Sequence, residues 1–173
     1  MHPYQNRELP VEARIADLLG RLTLAEKVHL CHGGSTIETV GIPRLGVPRV
    51  KMFDGPQGIR LPQGRTGDGR QTTALPVGIA LAANFDPAMA EAYGEAIARD
   101  AAGCDIQVNL GPGINLMRTP LNGRNFEYYG EDPVLAGKTA AGYVRGCQAF
   151  GVVATPKHLA VNNQEICRTT GSS

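Results

Sequence analysis

Apolar residues recur at helical spacing in VEARIADLLGRL, where Val11, Ile15, Leu18, Leu19 and Leu22 share one stripe. TLAEKVHLC follows, with Thr23 and Glu26 spaced as a capping box. Two short helices are therefore predicted at the start of the chain. The pattern then changes. RVKMFDG is a β-type run that stops at Asp54-Gly55-Pro56, a turn tripeptide, and predicts a strand ending at Asp54. A Gly- and Arg-rich loop is expected from Pro56 to Thr73. Asp86-Pro87 and Asp132-Pro133 each place an N-cap before an N1 proline, predicting helices through AMAEAYGEAIARDAAG and VLAGKTAAGYVRGCQAF, the second ending at Gly151. DIQVNLGPGIN and VVATPKH read as the two further strands.

The resulting order of strand, helix, strand, helix, strand points to an α/β fold with a parallel sheet and right-handed crossovers. In such folds polar function gathers in the loops after the carboxyl ends of the strands. Asp54, the segment from Asn115 to Glu131, and the pair Lys157-His158 all fall there. Each alone reads as a capped turn with solvated charges; three together suggest one convergent pocket.

Composition narrows the ligand. Lys and Arg total 17 against 16 Asp and Glu, a net charge of +1, so there is no basic face of the kind nucleic acid requires. The chain is 42% hydrophobic with 22 Gly and 12 Pro, globular but rich in turns. Its apolar runs are too short for a bilayer, and MHPYQNRELP lacks the form of a signal peptide, which favours a soluble, cytoplasmic protein. Cys31, Cys104, Cys147 and Cys167 are widely spaced and read as ordinary buried thiols.

Three motifs point elsewhere and fail on their residues. DPVLAGKT imitates a phosphate loop but has Asp132 where the first Gly belongs. GPGINL lacks the third Gly of the dinucleotide fingerprint. His29, Cys31 and His32 form an incomplete zinc set. No metal and no cofactor are expected.

FDGPQGIR (53–60), LGPGINLMRTPLNGRNFEYYGEDP (110–133) and KHLAVNNQE (157–165) resemble, in order and approximate spacing, the glycoside hydrolase family 3 β-glucosidases. The similarity covers nearly the whole chain. Gly130 stands where that family usually has Ser, and Leu159 where it usually has Phe. The resemblance implies that residues 1–173 form the N-terminal half of a (β/α)8 TIM-type barrel, with the rest of the barrel and a second domain absent. It also implies retaining hydrolysis of β-glucosides or oligosaccharides. Asp54 resembles the carboxylate that accepts from two sugar hydroxyls, Arg124, Lys157 and His158 resemble donors around the same ring, and Arg168 and Arg60 match further positions of that subsite. In the same stretch Phe126, Tyr128 and Tyr129 are expected to pack beneath the loop, and Glu131 and Asp132 to cap the following helix. Non-proline cis peptides are expected near Lys157-His158.

Retaining hydrolysis takes two carboxyl groups roughly 5 Å apart. The resemblance implies a nucleophilic Asp in a Ser-Asp-Trp-like motif downstream of the Lys-His pair and an acid/base later still, yet the sequence has no Trp. A full barrel takes ~250 residues. A fragment is therefore expected, joined through its open sheet edge to the remainder of the barrel or to itself, and inactive alone. The other reading is a non-catalytic sugar-binding or assembly piece.

Overall fold

The computed structural model describes residues 2–61, 69 and 71–168. The Gly- and Arg-rich loop expected over 56–73 therefore lies partly outside the described residues. The chain divides into two compact units, Met1–Val50 and Lys51–Ser173.

In the first unit, helix α1 (Val11–Arg21) is followed by α2 (Leu24–Leu30). The capping box forms as the spacing predicts: Thr23 Oγ1 accepts from Glu26 N at 3.2 Å and Glu26 Oε2 accepts from Thr23 N at 2.8 Å. Leu22, Ile42 and Leu45 make a small core with Tyr4, Leu18 and Val47 against it. Only part of the predicted stripe is used, since Val11, Ile15 and Leu19 stay exposed.

The second unit is built on a parallel sheet of β1 (Met52–Asp54), β2 (Val108–Leu110) and β3 (Val153–Ala154), in that spatial order. Phe53 lies opposite Asn109, which lies opposite Ala154. Between β1 and β2 run α3 (Gly78–Ala82) and α4 (Pro87–Gly103); between β2 and β3 runs α5 (Pro133–Ala149). Asp86 and Asp132 cap α4 and α5 through the backbone N–H two residues on, both at 2.8 Å. The one-turn helix α3 was not legible in ALPVGIALAANF, because five residues are too few to display a helical period.

The main core lies between the sheet and α4 and α5, with Ile97, Tyr143 and Cys147 fully buried. Burying a side chain such as Ile97 contributes roughly 1.5–3 kcal/mol. Tyr143 also carries a polar link: its hydroxyl accepts from Asn109 Nδ2 at 2.6 Å and donates to Gly55 O at 3.2 Å. A residue of α5 thus ties the middle of β2 to the exit of β1, next to Asp54. Cys104 and Cys147 are buried as expected, but Cys31 and Cys167 are exposed. Cys31 is the C-cap of the short α2 and Cys167 sits in a turn at φ 58°, so neither faces a core. Among the described residues no helix is long and apolar enough to cross a membrane.

Helices α4 and α5 approach through glycine. A β-carbon on Gly146 would overlap the Glu91 carbonyl oxygen, one on Gly94 would overlap that of Tyr143, and one on Gly142 would lie 2.7 Å from Pro87 O. Gly146→Val should therefore push the helices apart and destabilise the chain by about 1–3 kcal/mol, read as a lower urea midpoint. A midpoint equal to wild type would show that the helices are not in backbone contact.

Candidate functional site

The loops leaving the three strands form the site. After β2 and β3 the backbone ladder continues: Thr155 N donates to Asn109 O at 3.0 Å, Lys157 N to Pro112 O at 2.9 Å and Ile114 N to Lys157 O at 2.7 Å. Lys157 and His158 are thereby held beside residues 112–115. The peptide bonds Gly111–Pro112, Lys157–His158 and Leu159–Ala160 are cis.

A cleft of about 440 Å³ opens at this end, within the ~300–1,000 Å³ typical of small-molecule sites. Of the six residues singled out in the sequence, Asp54, Arg60, Arg124 and Arg168 line it. Lys157 and His158 do not line it; they stand behind, bonded to residues that do. Lys157 Nζ donates to Asp54 Oδ1 and lies 3.8 Å from Glu127 Oε2. Arg124 Nε donates to Glu127 Oε1, and its Nη2 lies 2.9 Å from His158 Nε2. Arg60 is fixed by its backbone, donating to Asp54 O at 2.7 Å, with its side chain exposed. Arg168 is also exposed and pairs with Glu165 at 2.9 Å, while Glu165 lies 3.9 Å from Arg124.

Glu127 is the residue that sequence reasoning undervalued. At i+3 from Arg124 it reads as half of a surface pair, but its side chain is 6% exposed and both Arg124 and Lys157 reach it. It sits on the 3-10 turn Asn125–Glu127, which turns its side chain inward and Phe126 outward. Phe126 is 53% exposed and lines the cleft, correcting the expectation that it packs beneath the loop. Tyr128 and Tyr129 do pack, at 0% and 3% exposure.

The electrostatics follow from this placement. Burial works against the Arg124 charge, but its hydrogen bond and attraction to Glu127 prevail and raise the guanidinium above its ordinary range. His158 moves the other way: burial, then the charges of Arg124 and Lys157, hold its imidazole below the ordinary value of 6.5. Arginine has no acceptor, so His158 Nε2 accepts from Arg124. The resemblance implied a donor at His158; the geometry makes the nitrogen facing Arg124 an acceptor. Asn115 and Tyr128 flank the same ring, with Asn115 Oδ1 at 3.0 Å and the Tyr128 hydroxyl at 3.3 Å from Nδ1. Asn162, with its amide oxygen toward the Tyr128 hydroxyl (2.6 Å) and Arg124 Nη1 (3.1 Å), donates to Glu165 Oε1 at 3.2 Å.

Chemically, the cleft offers an exposed carboxylate, a guanidinium and two outer arginines around one space. That set suits a neutral ligand dense in hydroxyls, each of which both donates and accepts. Among the described residues no three His, Cys, Asp or Glu side chains cluster as metal ligands.

The family described as glycosyl hydrolase family 3 N terminal domain matches residues 52–165. A beta-glucosidase of Bacteroides ovatus is 44% identical over 173 residues, covering 95% of this chain and 23% of its own length. Beta-glucosidase from Kluyveromyces marxianus, solved in complex with glucose, superposes at TM-score 0.82 with 38% identity, over 87% of this chain and 18% of that one. Beta-glucosidase 3B from Thermotoga neapolitana, also solved with glucose, gives 0.79 at 39% identity, over 87% and 24%. The chain thus spans a quarter or less of the length of these relatives, and its small parallel sheet is the N-terminal part of their TIM-type barrel domain. On the match over residues 52–165, the chain belongs to glycosyl hydrolase family 3.

Proposed function

We propose that this chain binds the terminal β-D-glucosyl unit of a β-glucoside or oligosaccharide and that, as part of a family 3 enzyme, it serves retaining hydrolysis of the glycosidic bond. The observation that carries the reading is the meeting of Asp54 and Arg124 on one polar cleft, with Glu127 bonded to Arg124 in its wall and Lys157 fixing Asp54 from behind.

Asp54 is the group placed to grip sugar. Its side chain is 46% exposed and Lys157 holds Oδ1. That fixes the carboxylate while leaving it open to neighbouring hydroxyls on the sugar ring. Arg124 donates to a further hydroxyl, and Arg60 and Arg168 form the rim. Such contacts strengthen as the ring flattens toward an oxocarbenium-like state, so they act on the barrier as well as on binding.

Neither carboxylate at the centre suits attack. Glu127 is buried and bonded to Arg124, and Asp54, held at Oδ1 by Lys157, has its open side taken by the sugar hydroxyls. The nucleophile and the acid/base are assigned to other parts of the family's enzymes, outside residues 1–173.

A chimaera tests this. Residues 1–173, grafted in place of the matching segment of the Bacteroides ovatus enzyme, should turn over an aryl β-glucoside, whereas residues 1–173 alone should not. In the chimaera Asp54→Asn should lower kcat/KM on the order of 10²-fold, the loss of charged hydrogen bonds at ~1.5–3 kcal/mol each. Turnover by residues 1–173 alone, abolished by Asp54→Asn, would move the catalytic carboxylates into this chain.

His158 predicts a pH dependence. Its folded pKa lies below the unfolded 6.5, so as pH falls the unfolded chain takes up the proton first. The stability is fully present above about 6.5 and is lost as pH falls from there toward the depressed folded value. Thermal melts from pH 8 to 5 should show wild type losing more Tm than His158→Gln. Parallel profiles would mean that the ring is not held neutral.

A further inference from the structure

Asn115 grips His158 at three points. Its Oδ1 accepts from His158 N at 2.8 Å and lies 3.0 Å from the ring Nδ1, and its Nδ2 donates to His158 O at 3.3 Å. A backbone N–H can only donate and a backbone carbonyl can only accept, so the two main-chain bonds settle which end of the amide is oxygen. The atom facing Nδ1 is an acceptor, and Nδ1 must carry a proton. The Tyr128 hydroxyl, 3.3 Å from Nδ1, gives its one proton to the Asn162 amide oxygen at 2.6 Å and so also offers Nδ1 a lone pair. At the far side of the ring Nε2 meets the Arg124 guanidinium at 2.9 Å and must carry none. Both ends select one species, the neutral imidazole protonated on Nδ1.

We propose that Asn115 is a positioning residue of the sugar site: it locks His158 as the neutral Nδ1–H tautomer, whose Nε2 lone pair then orients Arg124 toward the cleft. The link to sugar rests on the β-glucoside reading; the tautomer lock does not. Arg124 is held from two sides, by the Glu127 carboxylate at Nε and by the imidazole at Nη2, which leaves it little freedom to swing. The charges facing the ring are Arg124, Lys157 and Arg168, which disfavour the imidazolium, and Glu127, which favours it less strongly than Arg124 and Lys157 oppose it. A neutral amide at 115 leaves that balance intact, whereas a carboxylate there would tip it.

Nitrogen NMR of the ¹⁵N-labelled chain tests the proposal without reference to activity. The His158 ring, assigned by its loss in His158→Gln, should show Nδ1 protonated and Nε2 bare at pH 8. Asn115→Asp should keep that tautomer and raise the His158 pKa by about 1 unit or more. Asn115→Leu should lose the Nδ1–H form. A wild-type ring protonated on Nε2, or a tautomer unchanged in Asn115→Leu, would overturn the lock. Should the leucine variant not fold, the wild-type spectrum and the aspartate variant decide. In the chimaera, Asn115→Asp should move the acid limb of kcat/KM upward by the same shift; an unmoved limb would overturn the link to the site. A wild-type chimaera without activity would instead remove the β-glucoside reading and leave the tautomer result standing.

Discussion

A single buried carboxylate organises the strand ends. Glu127 receives Arg124 from its own loop and Lys157 from the loop after β3, thirty residues later in sequence, and its side chain is almost closed to solvent. A charge so placed costs several kcal/mol in desolvation unless it is paired and hydrogen-bonded. The pairing does little for net stability by itself, because the penalty and the attraction nearly cancel. What it contributes is position. Neither cation can leave without stranding the carboxylate, so Arg124 stays fixed on the cleft and Lys157 behind it, and Lys157 in turn fixes Asp54.

The rest of the second unit keeps those loops in register. Glycine contacts bring α4 and α5 to backbone distance, and from α5 Tyr143 reaches across to bond Asn109 in β2 and Gly55 just after Asp54. The ladder past β2 and β3 then seats Lys157 against residues 112–114. Side chains on the cleft are thus supported by others, Tyr143 and Lys157, that do not line it. Charges around the centre also balance: Asp54, Glu127 and Glu165 oppose Arg124, Lys157 and Arg168. Arg60 adds a positive rim.

The elements were largely legible because the sequence punctuates them. Asp-Pro pairs announced α4 and α5, Asp-Gly-Pro closed β1, and Thr23 with Glu26 opened α2. Candidate residues were legible as types and as positions after strands. Their division of labour was not. Whether Arg124 and Glu127 form a surface pair or a buried one depends on the 3-10 turn between them, and that same turn exposes Phe126. Asn115 lies 43 residues from His158, a separation at which no local pattern signals contact. The nitrogen that His158 presents to Arg124 follows from an amide orientation that only coordinates reveal.

The most direct measurement is a crystal structure of the Bacteroides ovatus chimaera with glucose bound. Glucose hydroxyls are expected within hydrogen-bond distance of Asp54 and Arg124, with Glu127 still bonded to Arg124 and beside Lys157 and touching no sugar oxygen. Glucose bound away from Asp54, or bound to a Glu127 released from its two cations, would contradict this.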